Sequence, residues 1–223
     1  MKKIHRFLLP VDLSHQIRDV LKIKTDEVVD LMDGQGMEFQ AKIVSTAGPV
    51  EVEVDSVRQN QSEPMVKVIL YCAILKRENF ELVAQKATEV GVHDIVPIIT
   101  ERTIKTGLKL ARLQKIAAEA AEQSGRGVVP TVHKAMTFKQ ALVDCARNDV
   151  NYFFDPSGQI HNKRPDPIQG SIGLFIGPEG GWTDNEIALA KQADLVQASL
   201  GRLTLRGETA AIVASYLATS SKL

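Results

Sequence analysis

The hydrophobic period of the chain changes near Pro64, and that change constrains the fold more than any other feature. Ahead of it, Val28 to Met32, Glu38 to Val44 and Val50 to Val57 are short segments of partial apolar and polar alternation, the pattern of half-buried strands. Turn signals separate them at Asp33-Gly34-Gln35-Gly36 and Ala47-Gly48-Pro49. Asp33-Gly34 suits a hairpin turn because both residues tolerate positive φ. Ser14 to Ile23 places Ile17, Val20 and Leu21 at helical spacing and predicts a short helix. One helix with several short strands predicts a small β-barrel over residues 1–65, with Gln59 to Pro64 as the linker.

From Val66 onward apolar runs alternate with helical periodicity, which predicts an α/β domain over residues 66–223, a mostly parallel sheet covered by helices. Val66 to Leu75 is almost continuously apolar, as a strand buried on both faces must be. Glu78 to Val90 repeats apolar residues at helical spacing, and Gly91 ends that helix as a C-cap. His93 to Ile99, Val150 to Phe154 and Ile172 to Ile176 read as further strands, Leu108 to Ser124 as a second helix, and a last helix begins near Glu208.

A length of 223 residues accommodates two such domains, and 44% hydrophobic residues can form a core without covalent staples. Cys72 and Cys145 are too few for a disulfide framework and fit a reducing compartment. The apolar run Phe7 to Leu9 is too short for a signal peptide, and no stretch approaches the roughly 20 apolar residues of a membrane helix, so a cytoplasmic protein is expected. His5, His15, His93, His133 and His161 are dispersed without ligand spacing, and no metal is expected. With 27 basic and 27 acidic side chains the net charge is zero, so a nucleic-acid footprint would have to be a local patch. Lys105, Lys109 and Arg112 recur at helical spacing beside Arg102 and Lys115, and Lys2, Lys3 and Arg6 form a second cluster; an ordinary solvated face is the plain alternative for the first.

Two segments carry the chemistry. In Leu174 to Thr183 a buried strand enters a glycine-rich turn and a helix starts at once, with Thr183 and Glu186 spaced as a capping box. Glycines there let main chain approach a ligand closely, although a tight strand-to-helix turn needs them too. The segment is neither a dinucleotide fingerprint nor a phosphate-binding Walker loop. In Ser199 to Ala211 a glycine-bearing loop with Arg202 and Arg206 leads to Glu208 at a helix start. Glu208 can complement the helix dipole there. Arg206, flanked by Leu203, Leu205 and Ala210, is expected to be partly buried against an anionic partner. Trp182 beside the glycine turn is expected to pack rather than stack on a ligand.

Together these segments resemble the signature of the RsmE family, the ribosomal RNA uridine-N3 methyltransferases of the SPOUT superfamily. The resemblance covers almost the whole chain. Arg6-Phe7 is similar to the family's opening, and Lys86 to Val92 with Pro97 and Thr100-Glu101-Arg102 to its second motif. Glu122 to Arg126 is similar to the third, and Ile176 to Gly181 and Leu205 to Ala210 to the last two. It implies a PUA-like RNA-binding barrel, a SPOUT domain whose chain end forms a deep trefoil knot, and a homodimer. It also implies S-adenosylmethionine as cofactor and small-subunit (16S) rRNA, free or in the 30S subunit, as partner. Cofactor-binding positions carried over are Ile176, Gly177, Pro178, Glu179, Gly180, Gly181, Ser199, Leu200, Gly201, Leu203 and Leu205. Arg6, Arg102, Gln123 and Arg126 are carried over as RNA contacts. Uracil N3 must lose a proton, which makes Glu208 a candidate base and Arg206 a candidate stabiliser of charge on the uracil oxygens. The family loop departs here, since Gly201 is followed directly by Arg202 and Leu203 stands where an arginine is expected. A knotted methyltransferase for another RNA nucleotide, and a non-catalytic RNA-binding assembly factor, are the competing readings.

Overall fold

The computed structural model describes residues 5–104, 107–160 and 170–220. The chain divides into two units, Met1–Ser62 and Glu63–Leu223. Glu63, the first residue of the second unit, binds Arg126 and the Val128 N–H within that unit.

In the first unit β1 (His5–Leu8), β2 (Val28–Met32), β3 (Met37–Ser45) and β4 (Glu51–Gln59) pair antiparallel in the order β1-β4-β3-β2. Among the described residues β1 and β2 do not pair, so this unit is a four-stranded sheet rather than the closed barrel expected. The strand β1 carries no alternation to read, since all four of its residues are exposed. The predicted helix starts earlier, as α1 (Val11–His15), and runs into a π-helical turn, Gln16–Val20, where the Leu21 N–H reaches back to the Gln16 carbonyl at 2.9 Å. Leu9, Ile17, Ala41, Ile43, Val50 and Val52 form the core. The Asp33 turn is longer than a two-residue hairpin: its Oδ1 accepts the N–H groups of Gln35 and Met37 at 2.7 and 3.0 Å.

The second unit runs β5 (Lys67–Ala73), α2 (Arg77–Glu89), β6 (Asp94–Ile99), α3 (Leu110–Ser124), β7 (Thr131–Val132), β8 (Met136–Thr137) and α4 (Phe138–Asp144). It continues through β9 (Val150–Ile160), β10 (Ser171–Ile176), α5 (Asp184–Gln192), β11 (Val196–Ser199) and α6 (Gly207–Thr219). All strand pairs are parallel, in the order β11-β9-β10-β5-β6-β7, with β8 also on β6. The apolar run of β5 is explained by its two buried faces. Val68, Leu70 and Cys72 join the core that contains α2, α3 and α6 residues, whereas Ile69, Tyr71 and Ala73 join the one that contains α4 and α5 residues. Tyr71 stacks on Phe175 of β10 with ring centroids 4.5 Å apart. Gly91, at φ +97, follows α2 just past its cap. Sequence periodicity missed β7, β8 and α4, which are too short to show a period.

From the adjacent pair β5 and β10, the order extends through β6 on one side and through β9 and β11 on the other. Such a reversal opens a crevice beyond the carboxyl ends of the central strands, the usual ligand position in open parallel sheets.

One end of this sheet is expected to respond to pH. His93 Nδ1 accepts the Val68 N–H at 3.3 Å, an arrangement that needs a neutral ring. Burial and the nearby Arg126 charge hold the His93 pKa below its ordinary 6.5. Asp94, whose burial acts in the opposite sense, is held below 3.8 by hydrogen bonds from His133 and Lys67. Both groups bind protons more readily in the unfolded chain, so stability rises with pH through their windows. The His93 contribution is complete above pH 6.5 and is lost as pH falls toward its folded value; that of Asp94 follows below pH 3.8. Melting temperature is therefore expected to fall as pH drops below 6.5, and His93→Leu should flatten the first part of that fall. A wild-type melting temperature constant from pH 7 to 5 would contradict it.

Candidate active site

A cavity of about 540 Å³ lies where the switch point predicts one, within the size range of small-molecule sites. Lys76 is the N-cap of α2 and Asn79 lies in its first turn, and Phe154, Asp155 and Pro156 come from β9. Ile176, Gly177, Pro178, Glu179, Gly181 and Trp182 come from the turn after β10. Ser199, Leu200, Leu203, Thr204, Leu205, Arg206, Gly207, Glu208 and Ala210 come from the loop after β11 and the start of α6. The two glycine-bearing segments, distant in sequence, thus line one cavity. Gly180 and Gly201 are the two cofactor candidates that do not line it. Lys76, Asn79 and the β9 residues were missed, because they carry no local signature and reach the cavity only through the sheet order. The β9 contribution depends on an irregularity: Gln197 pairs with Phe153 but Ala198 with Gln159, so the intervening β9 residues leave the ladder.

Close packing accounts for the glycines that matter. A Cβ on Gly177 would come within 2.9 Å of the Trp182 indole nitrogen, and one on Gly207 within 2.8 Å of Leu75. Trp182 packs, as expected: its ring lies against Phe153 and Phe138, and its N–H donates to the Phe154 carbonyl at 3.0 Å. The turn ends in the anticipated capping box, with Thr183 Oγ1 accepting the Glu186 N–H at 3.2 Å and Glu186 Oε2 accepting the Thr183 N–H at 3.0 Å. Thr183→Ala should cost about 1 kcal/mol of stability by denaturant unfolding. A loss below a few tenths would mean that the cap contributes little.

Glu208 is the unusual group. It is 8% exposed, and its Oε2 has no hydrogen-bond partner among the described residues. A buried carboxylate oxygen left unpaired is costly, and sites of function are where such costs persist. The pKa of the fully buried Cys72 thiol is pushed up by burial and by the charges of Glu179 and Glu208, so the thiol stays protonated. Arg206 differs from expectation. It is exposed, as the N-cap of α6, and Leu203 beside it is 82% exposed, because the loop turns these side chains outward. Arg202 is exposed as well.

The four expected RNA contacts differ in their surroundings. Arg6, in the first unit, pairs with Glu53, and Gln123 is exposed near the end of α3. Arg126 is only 4% exposed, and its guanidinium donates to Glu63 and to the Thr88 and Val92 carbonyls. That puts it inside the protein instead of on a surface RNA could reach. Arg102 donates to the Gly180 carbonyl at 2.6 Å. Of the basic stripe, Arg112 is paired with Glu81 and Lys115 with Glu119. Lys2, Lys3, Lys105 and His161 lie outside the described residues. Lys86 and Glu89 form an i,i+3 ion pair on α2 at 2.8 Å.

A family profile described as an RNA methyltransferase domain matches residues 61–219. Ribosomal RNA small subunit methyltransferase E of Synechocystis is 34% identical over 90% of this chain and 68% of its own length. The protein of that name from Mesomycoplasma hyopneumoniae is 29% identical over 95% of this chain and 93% of its own. Among solved structures, ribosomal RNA small subunit methyltransferase E from Neisseria gonorrhoeae, bound to S-adenosylmethionine, superposes with a TM-score of 0.84 at 29% identity, over 96% of this chain and 91% of that one. A methyltransferase from Legionella pneumophila, also with its cofactor SAM bound, gives a TM-score of 0.84 at 31% identity over the same shares.

Proposed function

We propose that this chain, which belongs to the family of ribosomal RNA small subunit methyltransferase E, methylates N3 of a uridine in small-subunit (16S) rRNA. It is an S-adenosylmethionine-dependent rRNA methyltransferase. The observation that carries the uridine reading is Glu208, nine-tenths buried in the wall of the cavity with an unpaired carboxylate oxygen.

The cavity fits a nucleoside cofactor. Its volume is adequate, and its walls include Phe154, Ile176, Leu200 and Leu205. Ile176 to Gly181 and Ser199 to Leu205 would hold the adenosine, largely through main-chain groups. When bound, the cofactor supplies a methyl group activated by a sulfonium. Uracil N3 cannot accept a methyl group while it keeps its proton, and a carboxylate is the group the cavity offers to take it. Glu208 accepts that proton, and Arg206, two residues earlier and also lining the cavity, balances the negative charge that develops on the uracil oxygens. Positioning of the two reactants provides much of the remaining acceleration.

The finer features belong to the same proposal. The first unit acts as a PUA-like RNA-binding domain, the second as a knotted SPOUT domain that works as a homodimer in the cytoplasm. Arg6 and Gln123, both exposed, are available to rRNA. Calorimetry with S-adenosylmethionine, and mass mapping of rRNA nucleosides from a deletion strain, test the reading. Cofactor binding and loss of one 3-methyluridine are expected. No binding would point to a non-catalytic assembly factor, and loss of a different modified nucleoside to another target.

A further inference from the structure

We infer that Arg102 is a positioning residue for the glycine turn of the cofactor cavity, acting through main-chain carbonyls; the inference rests on the cofactor reading of that cavity. Its Nη1 donates to the carbonyls of Gly180 at 2.6 Å and Trp182 at 3.3 Å. Its aliphatic stem lies against the same turn, since a Cβ on Gly180 would come within 3.3 Å of the Arg102 Cδ.

The segment that presents Arg102 is braced from both ends. Thr103 Oγ1 accepts the Thr100 N–H at 3.0 Å, and the Thr103 N–H returns to the Thr100 carbonyl at 3.1 Å. Next to Arg102, the Glu101 N–H donates to Oε1 of the buried Glu186 at 2.9 Å, and Glu101 Oε1 accepts from Asn185 at 2.7 Å. Glu186 also caps α5, so one carboxylate ties the end of β6 to the helix that follows the glycine turn.

The physical consequence concerns peptide planes. In a trans peptide the C=O and the next N–H point in opposite directions, so fixing a carbonyl orients the following N–H. The Gly180–Gly181 peptide, where glycine leaves the most freedom, is held by Arg102 at its carbonyl and by the Pro178 carbonyl, 2.8 Å away, at its N–H. With the Gly180 and Trp182 carbonyls drawn to one guanidinium, the turn is set before a ligand arrives, and binding does not have to pay for ordering it. Both bonds come from one guanidinium nitrogen, whose two N–H groups are fixed in a plane, where an ammonium serves as a rotating point charge. The guanidinium retains further N–H groups, and an RNA contact is therefore the competing role that the experiment must separate.

Wild type, Arg102→Ala and Arg102→Lys are titrated with S-adenosylmethionine by calorimetry without RNA, and with an rRNA helix fragment by filter binding. Arg102 is exposed, so the variants are expected to fold. The alanine variant should weaken cofactor affinity about tenfold, the lysine variant less, and affinity for the RNA fragment should be unchanged. Unchanged cofactor affinity in the alanine variant would overturn the inference, and a loss confined to RNA affinity would return Arg102 to an RNA contact. A wild type that binds no S-adenosylmethionine would instead overturn the reading of the cavity itself.

Discussion

Glu208→Gln is expected to lower methyl transfer to rRNA by about 10² to 10⁴-fold while the protein stays folded. The amide keeps the shape of the carboxylate and cannot take the N3 proton. Single-turnover transfer to 30S subunits lacking the modification measures the loss, and calorimetry should show cofactor affinity little changed. Stability supplies a second, independent readout. The Oε2 atom is buried without a partner among the described residues, so removing its charge should leave the melting temperature unchanged or raise it. Near-wild-type turnover would show that Glu208 is not the base. A large drop in melting temperature would show that its carboxylate has a structural partner after all.

Arg126→Ala is expected to destabilise the second unit by about 3–5 kcal/mol, because it leaves the largely enclosed Glu63 uncompensated. The guanidinium donates to Glu63 at 2.8 Å and to the Thr88 and Val92 carbonyls at 3.0 and 2.7 Å, the first of these in the last turn of α2. Glu63 Oε1 also accepts the Val128 N–H at 2.9 Å, so the same loss loosens the segment after α3. A fall of roughly 10 °C in melting temperature corresponds to this. Replacing both partners, as Glu63→Gln with Arg126→Met, should recover part of the loss, since an apolar or neutral pair removes the stranded charge. A variant with wild-type stability but weakened rRNA affinity would restore Arg126 to the RNA surface and refute the structural role.

Several elements were legible because burial imposes a period. The run Val66 to Leu75 is apolar since β5 faces a core on each side, and Thr183 with Glu186 marks a helix start because the capping box is local chemistry. The glycines at 177 and 207 were legible as residues where main chain needs room, though not what would fill it: a tryptophan ring at one and Leu75 at the other. By contrast, Arg126 and Arg206 were exchanged in character. Arg206 sits among leucines in sequence yet is exposed, and Arg126 sits among polar residues yet is buried. Neighbours in sequence do not report which way a loop turns its side chains, nor that Glu63 stands opposite a residue more than sixty positions later.

The order of short-range patterns determined the class of each half, the switch from mostly antiparallel strands to a parallel sheet, and the motifs that mark a methyltransferase. Strand order decided the rest. Because β5, β9, β10 and β11 end side by side, Lys76, Phe154, Gly177 and Glu208 share one cavity, and Arg102 reaches the turn beyond β10. Local propensity reaches only a few residues along the chain, whereas hydrogen-bonded pairing of distant strands is what brings these groups within contact.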